Sequence, residues 1–140
     1  MAWVRTLEVA GEKVSIREAI PDDVEFIFPS WVANAFHMRN TRRPVFDGFY
    51  PAFVRRLLET ESAVVLTREG QDKIHAWACG RAPNLLHFAY VPFPIRHHGF
   101  GRAVIESVLD GYPATIYVTS SPLSQANHRR FLYNPFVLRT

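Results

Sequence analysis

A strand-like apolar run, Leu85 to Val91, leads through Arg96-His97-His98-Gly99-Phe100-Gly101 into a helix-like run, Arg102 to Leu109. A strand that passes through a short glycine-bearing loop into a helix commits the middle of the chain to a layered α/β arrangement. The two glycines supply the backbone freedom of a tight turn. Successive N–H groups at a helix start, with the positive end of its dipole, make a site for an anion. The loop therefore points to a phosphate-bearing ligand, with an ordinary tight strand-to-helix turn as the alternative.

Other phosphate loops fit less well. A dinucleotide fingerprint needs a third small residue at position 104 and an acidic residue roughly 20 positions further on, where this chain has Val104 and then Thr119, Ser120 and Ser121. A P-loop needs Gly-Lys-Ser/Thr, and the lysines are Lys13 and Lys73.

Around the loop the hydrophobic period predicts the remaining elements. Val14 to Glu18 reads as a first strand. Pro21-Asp22-Asp23 suits a helix start, and Val24, Ile27, Phe28, Trp31, Val32 and Ala35 follow a helical period. Pro29 predicts a break or kink there. After a basic connector, Arg39 to Pro44, the residues Phe49, Phe53, Val54, Leu57 and Leu58 mark a second helix ending near Glu61. Ala63 to Arg68 and Ile74 to Arg81 then read as strands of a hairpin, and Asn84 to Phe93 as a third consecutive strand after a turn at Ala82-Pro83. In the glycine-loop helix, Val104, Ile105, Val108 and Leu109 form the buried side, with Gly111 and Pro113 as stop signals. Ala114 to Thr119 is a further strand, Ser124 to Arg130 a short helix, and Phe131 to Arg139 a last extended piece.

Composition narrows the setting. The 140 residues suit one domain, 1–140, and Cys79 stands alone, so neither a disulfide nor a cysteine metal site forms within one chain. No apolar run approaches the length of a membrane span, and a cytoplasmic location is expected. Residues 1–72 carry nine Lys/Arg and eleven Asp/Glu, residues 73–140 seven and two, so the half holding the loop is the basic half. That suits a polyanionic cofactor and equally nucleic acid.

The spacing of Val91, Arg96, Gly99, Gly101 and Val104 resembles the acyl-CoA pyrophosphate signature of the GNAT superfamily of N-acetyltransferases, V-x-x-x-x-R-x-x-G-x-G-x-x-[LV]. The element order resembles that superfamily's too. The resemblance implies a GNAT fold: a central mixed, mostly antiparallel sheet of six to seven strands flanked by about four helices, here with a shortened C-terminal side. It implies acetyl-CoA or CoA as co-substrate. The backbone amides of His97, His98, Gly99, Phe100, Gly101 and Arg102 would hold the pyrophosphate, with Arg96 contacting a phosphate or bracing the loop. The backbone at Ala89 and Val91 would pair with the pantetheine, and Asn127 matches the superfamily's frequent helix asparagine, an exposed helix position being the other reading.

Acyl transfer to an amine needs a base, a polarised carbonyl and a proton for the leaving thiolate. The superfamily's usual base is a glutamate on or near the strand that holds His87, and this strand has none. His87 is the candidate base, since an imidazole accepts a proton near neutral pH; a hydrogen-bonded core histidine is the alternative. Tyr133, six residues after Asn127, is the candidate acid, with Tyr117 as fallback, strand packing being its other reading; Ser120 and Ser121 lie near the expected reaction centre, where turn capping is the reading that suits them better. His75 and Trp77, alternate residues of one strand, are candidates for the acceptor cleft or for core packing. The six histidines lack metal-binding spacing, and no metal site is expected.

The resemblance implies direct transfer in a ternary complex to an amine of a small molecule or macromolecule. With seven residues after Tyr133, the acceptor side is expected to be open, or completed by a second subunit, as in a homodimer, or by a partner. Two other readings stand beside it. One is a nucleic-acid-modifying enzyme on the same fold, like Mom-type adenine modification proteins; the other is a non-catalytic protein similar to the small GNAT-like proteins of phages.

Overall fold

The computed structural model describes residues 4–35, 42–70, 73–91, 99–119 and 131–134, of Tyr133 the backbone alone. The elements are β1 (Val4–Val9), β2 (Glu12–Glu18), α1 (Pro21–Ala33), α2 (Arg43–Thr60), β3 (Ser62–Arg68), β4 (Ile74–Arg81), β5 (Leu85–Tyr90), α3 (Phe100–Leu109), β6 (Ile116–Val118) and β7 (Phe131–Tyr133). They build a mixed α+β fold around one seven-stranded sheet with the strands in sequence order. β1 to β5 run antiparallel; β6 joins β5 and β7 joins β6 in parallel.

The strand β1 is an addition to the sequence reading. It pairs with β2 through a two-residue turn in which Ala10 and Gly11 both have positive φ, 52° and 79°, the geometry that matches the twist of a hairpin. Its side chains are mostly exposed, so the alternation that betrays a half-buried strand is weak there.

Two layers of helix cover the sheet. On one face α1 and α2 close over Val65, Trp77, Cys79 and Phe88 with Ile27, Trp31, Tyr50, Val54 and Leu57. Trp31 stands at the centre, its ring 5.6 Å from Trp77 and 5.5 Å from Phe88, and its indole N–H donates to the Tyr50 hydroxyl at 3.0 Å. On the other face α3 packs Phe100, Val104, Val108 and Leu109 against Val14, Ile16, Leu66, Ala78, Leu86 and Val118. The expected buried side of α3 is thus the observed one.

The ends of the helices follow their capping chemistry. At α1, Pro21 occupies the first turn and the Asp23 carboxylate accepts from the Ile20 N–H at 2.8 Å and from Arg17 at 3.0 Å. The helix runs through Pro29 to Ala33 without the expected break, and α2 likewise contains Pro51. α2 begins at Arg43, inside the expected connector. Phe49 and Phe53, expected to mark its apolar side, are 71% and 42% exposed. Three helices lie among the described residues; the expected short helix Ser124 to Arg130 falls outside them. No described helix is long and apolar enough to cross a membrane.

Candidate functional site

Two register shifts position the chemistry. The β4–β5 pairing goes from Cys79↔Phe88 to Gly80↔Leu86 and so skips His87. A bulge of this kind adds one residue to one strand and re-aims its side chain. Gly80, opposite the bulge, has no room for a side chain, because a Cβ there would collide with the Leu85 carbonyl oxygen. The second shift, between β3 and β4, skips His75.

Among the described residues β5 runs on where its pairing with β6 ends, and the bulge lies at that fork. Their parallel register consists of Leu85↔Tyr117 and Leu86↔Val118, and beyond it β5 continues to Tyr90 paired with β4. His87 is the first residue past the last paired one. Its imidazole bridges the fork: Nδ1 lies 2.9 Å from Thr119 Oγ1, just after β6, and Nε2 lies 2.9 Å from Glu61 Oε1.

Glu61 arrives from the junction of α2 and β3. It caps α2 in extended geometry, its N–H donating to the Leu57 carbonyl at 2.8 Å, and the chain turns directly into β3. Arg81, at the end of β4, clamps its carboxylate with two hydrogen bonds, Nε to Oε2 at 2.9 Å and Nη2 to Oε1 at 2.7 Å. The His87 and Glu61 side chains are 0% and 3% exposed, whereas Arg81 is 56% exposed. The result is a continuous chain of polar groups, Arg81–Glu61–His87–Thr119, running from solvent through the core to the fork.

Its protonation follows from these contacts. Burial alone would raise the Glu61 carboxyl, but hydrogen bonds from Arg81 and His87 and their charges hold it below the usual carboxylate range. Burial pushes the His87 imidazole down, against the pull of Glu61. At neutral pH the consistent arrangement is therefore an ionised Glu61 and a neutral His87 whose Nε2–H donates to Glu61. Nδ1 then accepts from the Thr119 hydroxyl, the tautomer being assigned from this network. Nearby, the Cys79 thiol is fully buried and pushed up, first by burial and then by the Glu61 charge.

The carboxylate that the strand lacks is thus present in space, brought 26 residues along the chain to His87. Neither spacing nor periodicity pairs a helix C-cap with a bulge two strands away. Ser120 and Ser121 lie outside the described residues; among those described, the hydroxyl that touches His87 is that of Thr119, which the sequence reading does not single out. Tyr133 pairs in β7 with Val118, one residue before Thr119, which brings its backbone to the same end of the fork.

The remaining candidates separate. Trp77 is fully buried, in the stack with Trp31, Phe88 and Tyr90. The bulge at His75 breaks the alternation that would have put it beside Trp77, and its surroundings are charged. Burial lowers its pKa first, then Arg68 and Lys73, with Glu12 opposing. The pair does not line one cleft.

Of the loop, Arg96, His97 and His98 lie outside the described residues, as does Asn127. Gly99 caps α3 at a φ of 87°, and a Cβ there would meet Val9 Cγ1 at 3.2 Å. The helix ladder opens with Ala103 N–H to the Gly99 carbonyl at 3.1 Å, so the amides of Phe100, Gly101 and Arg102 form its first turn. The Phe100 ring is buried in the core below the Arg68 guanidinium. The Arg102 side chain turns along the helix to Glu106, 2.9 Å, and over the Tyr112 ring. Ala89, half-buried, pairs with Ala78; Val91 follows the end of β5 with its Cγ2 3.5 Å from where a Gly101 Cβ would stand. A separate cavity of about 600 Å³, bordered by Arg5, Glu18, Ser62, Glu106 and Asp110, lies at the other end of α3 and contains none of these residues.

No protein-family profile and no curated protein matches the chain. Among solved structures, it is similar to that of a candidate acetyltransferase of the GNAT family from Desulfovibrio desulfuricans, at 21% identity and a TM-score of 0.44. The match covers 68% of this chain and 63% of that one, so this chain spans less than two thirds of the other's length.

Proposed function

We propose that the protein is a CoA-dependent N-acyltransferase, moving an acyl group from a CoA thioester to an amine. The observation that carries this reading is the fork between β5 and β6, with a buried base at its root and a helix entered through a left-handed glycine at the end of the longer strand. Gly99, at a φ of 87° that residues with a side chain rarely adopt, turns the chain into α3 so that the first-turn amides of Phe100, Gly101 and Arg102 stand at the helix start, which suits a pyrophosphate. In this reading the loop from Arg96 to Arg102 binds the pyrophosphate, Ala89 and Val91 line the pantetheine, and Asn127 flanks it. His87 supplies the base and Tyr133 the proton for the departing thiolate.

The thioester supplies an activated acyl carbon when bound; the chain's own contribution is to place a base and exclude water. Both ring nitrogens of His87 are engaged and the ring is enclosed. Its basicity therefore reaches the fork through Thr119 Oγ1 rather than by direct contact with an amine.

Calorimetric titration with acetyl-CoA and with CoA tests the reading. Binding with a Kd of order micromolar, lost in Gly99→Glu while the thermal transition persists, is the expected result. No heat from either ligand, with Gly99→Glu altering stability alone, would remove CoA from the account. A strong salt dependence of DNA binding in place of CoA binding would favour nucleic acid as the partner.

A further inference from the structure

We propose that Thr119 is itself an acyl acceptor: the Thr119–His87–Glu61 array generates a nucleophilic hydroxyl, and acyl groups pass through an ester on Thr119 before reaching an amine or water. This rests on the acyl-transfer reading for the CoA donor, and replaces its single ternary step by two.

The geometry has the three relations that activate a hydroxyl. The nucleophile meets its base, Thr119 Oγ1 to His87 Nδ1, at 2.9 Å; the base meets its orienting carboxylate, His87 Nε2 to Glu61 Oε1, at 2.9 Å. Arg81 fixes that carboxylate from the solvent side. Hydroxyl nucleophiles in acyl-transfer enzymes are recognised by such relations rather than by chain order or fold. Burial supplies the second argument. The imidazole is sealed, with both nitrogens occupied, while Thr119 is half-buried at the mouth of the fork. A proton moving to His87 along this chain comes from Thr119, and the oxygen left behind is already held in place, whereas an amine must first be captured and oriented.

The steps balance. Thr119 Oγ1 bonds to the acyl carbon as its proton moves to His87 Nδ1, and the imidazolium is held by the Glu61 carboxylate. The bond from the acyl carbon to its leaving group breaks, and the Nδ1 proton passes to that group, giving a free thiol from a thioester. Acylated Oγ1 no longer donates to Nδ1, so the nitrogen it held at the fork is the one an amine or water meets; that nucleophile bonds to the acyl carbon and gives its proton to Nδ1. The ester bond to Thr119 breaks, and the proton returns to Oγ1, releasing an amide or a carboxylic acid.

Two donors separate this inference from the CoA reading: acetyl-CoA, and p-nitrophenyl acetate, an activated ester with no nucleotide. Acid-quenched protein is weighed and peptide-mapped, and p-nitrophenol release is followed in parallel. The expected result is one acetyl group on Thr119, retained in Thr119→Ser and absent in Thr119→Val. Ester turnover should fall about a hundredfold or more in His87→Gln. If the CoA reading alone fails, acetyl-CoA leaves no adduct while p-nitrophenyl acetate still acylates Thr119. The inference is overturned if neither donor labels Thr119 and ester turnover in Thr119→Val matches the parent protein. It is equally overturned if the label maps elsewhere and is unchanged in Thr119→Val.

Discussion

The carboxylate and imidazole that meet at the fork also make stability sensitive to acid, and the signs can be worked out residue by residue. His87 has a folded pKa below the ordinary value of 6.5, so below about pH 6.5 the unfolded chain takes up a proton that the folded one refuses. Its contribution is to lose stability as pH falls from there toward the folded pKa. Glu61 has a folded pKa below the ordinary 4.5; the stability it adds is complete above that value and lost as pH falls through the folded one. Thermal melts should therefore show two successive acid limbs. His75 is shifted in the same direction, so the upper limb is expected to shrink in His87→Gln and to vanish when His75→Gln is added, while the lower stays; a His87→Gln profile identical to the parent's below pH 6.5 would show that His87 does not contribute. Removing the imidazole outright leaves Glu61 buried with Arg81 alone, a loss of about 2–3 kcal/mol once the exposure of Arg81 is allowed for.

At the scale of elements, the β5 bulge depends on a residue in the strand beside it. Gly80 admits no Cβ against the Leu85 carbonyl, so Gly80→Ala must either push β5 away or shift the register that presents His87. The expected cost is about 1–3 kcal/mol, as for overpacking, together with loss of the part of the upper acid limb assigned to His87. An alanine variant as stable as the parent, with both limbs intact, would show the bulge to be independent of Gly80. The elements that the sequence reveals are those whose period and boundaries agree: β4 and the buried side of α3 are read correctly because apolar spacing, Gly111 and the flanking turns concur. β1 escapes because its side chains are mostly exposed, and Ala10-Gly11 is a weaker hairpin signal than Asn-Gly. Glu61 escapes for a different reason. Its partner is chosen by a register skip in β5 and by the direction in which α2 ends, and neither leaves a mark in local spacing. His87, in contrast, was visible as the lone polar residue of an apolar strand.

The described residues form two cores divided by one sheet, so damage on one face should be independent of damage on the other. Val54 lies in the α2 layer and Val108 in the α3 layer, at 0% and 5% exposure. Each valine-to-alanine change is expected to cost about 1.5–3 kcal/mol, a large share of a domain's total of roughly 5–15 kcal/mol. Denaturant titration of the double variant should give the sum of the two within about 0.5 kcal/mol. A larger deviation would mean that the sheet transmits strain between the layers.

Cys79 gives this architecture a way to be timed. The thiol is the chain's single one, it is fully enclosed, and it sits in β4 opposite Phe88, the residue next to the bulge. A thiol-specific dye reaches it when β4 is uncovered, so under native conditions the labelling rate counts excursions of the sheet centre rather than fraying of its edges. The strand that flanks the fork thus carries its own clock, one that a ligand bridging the fork would slow and an acid pulse would speed.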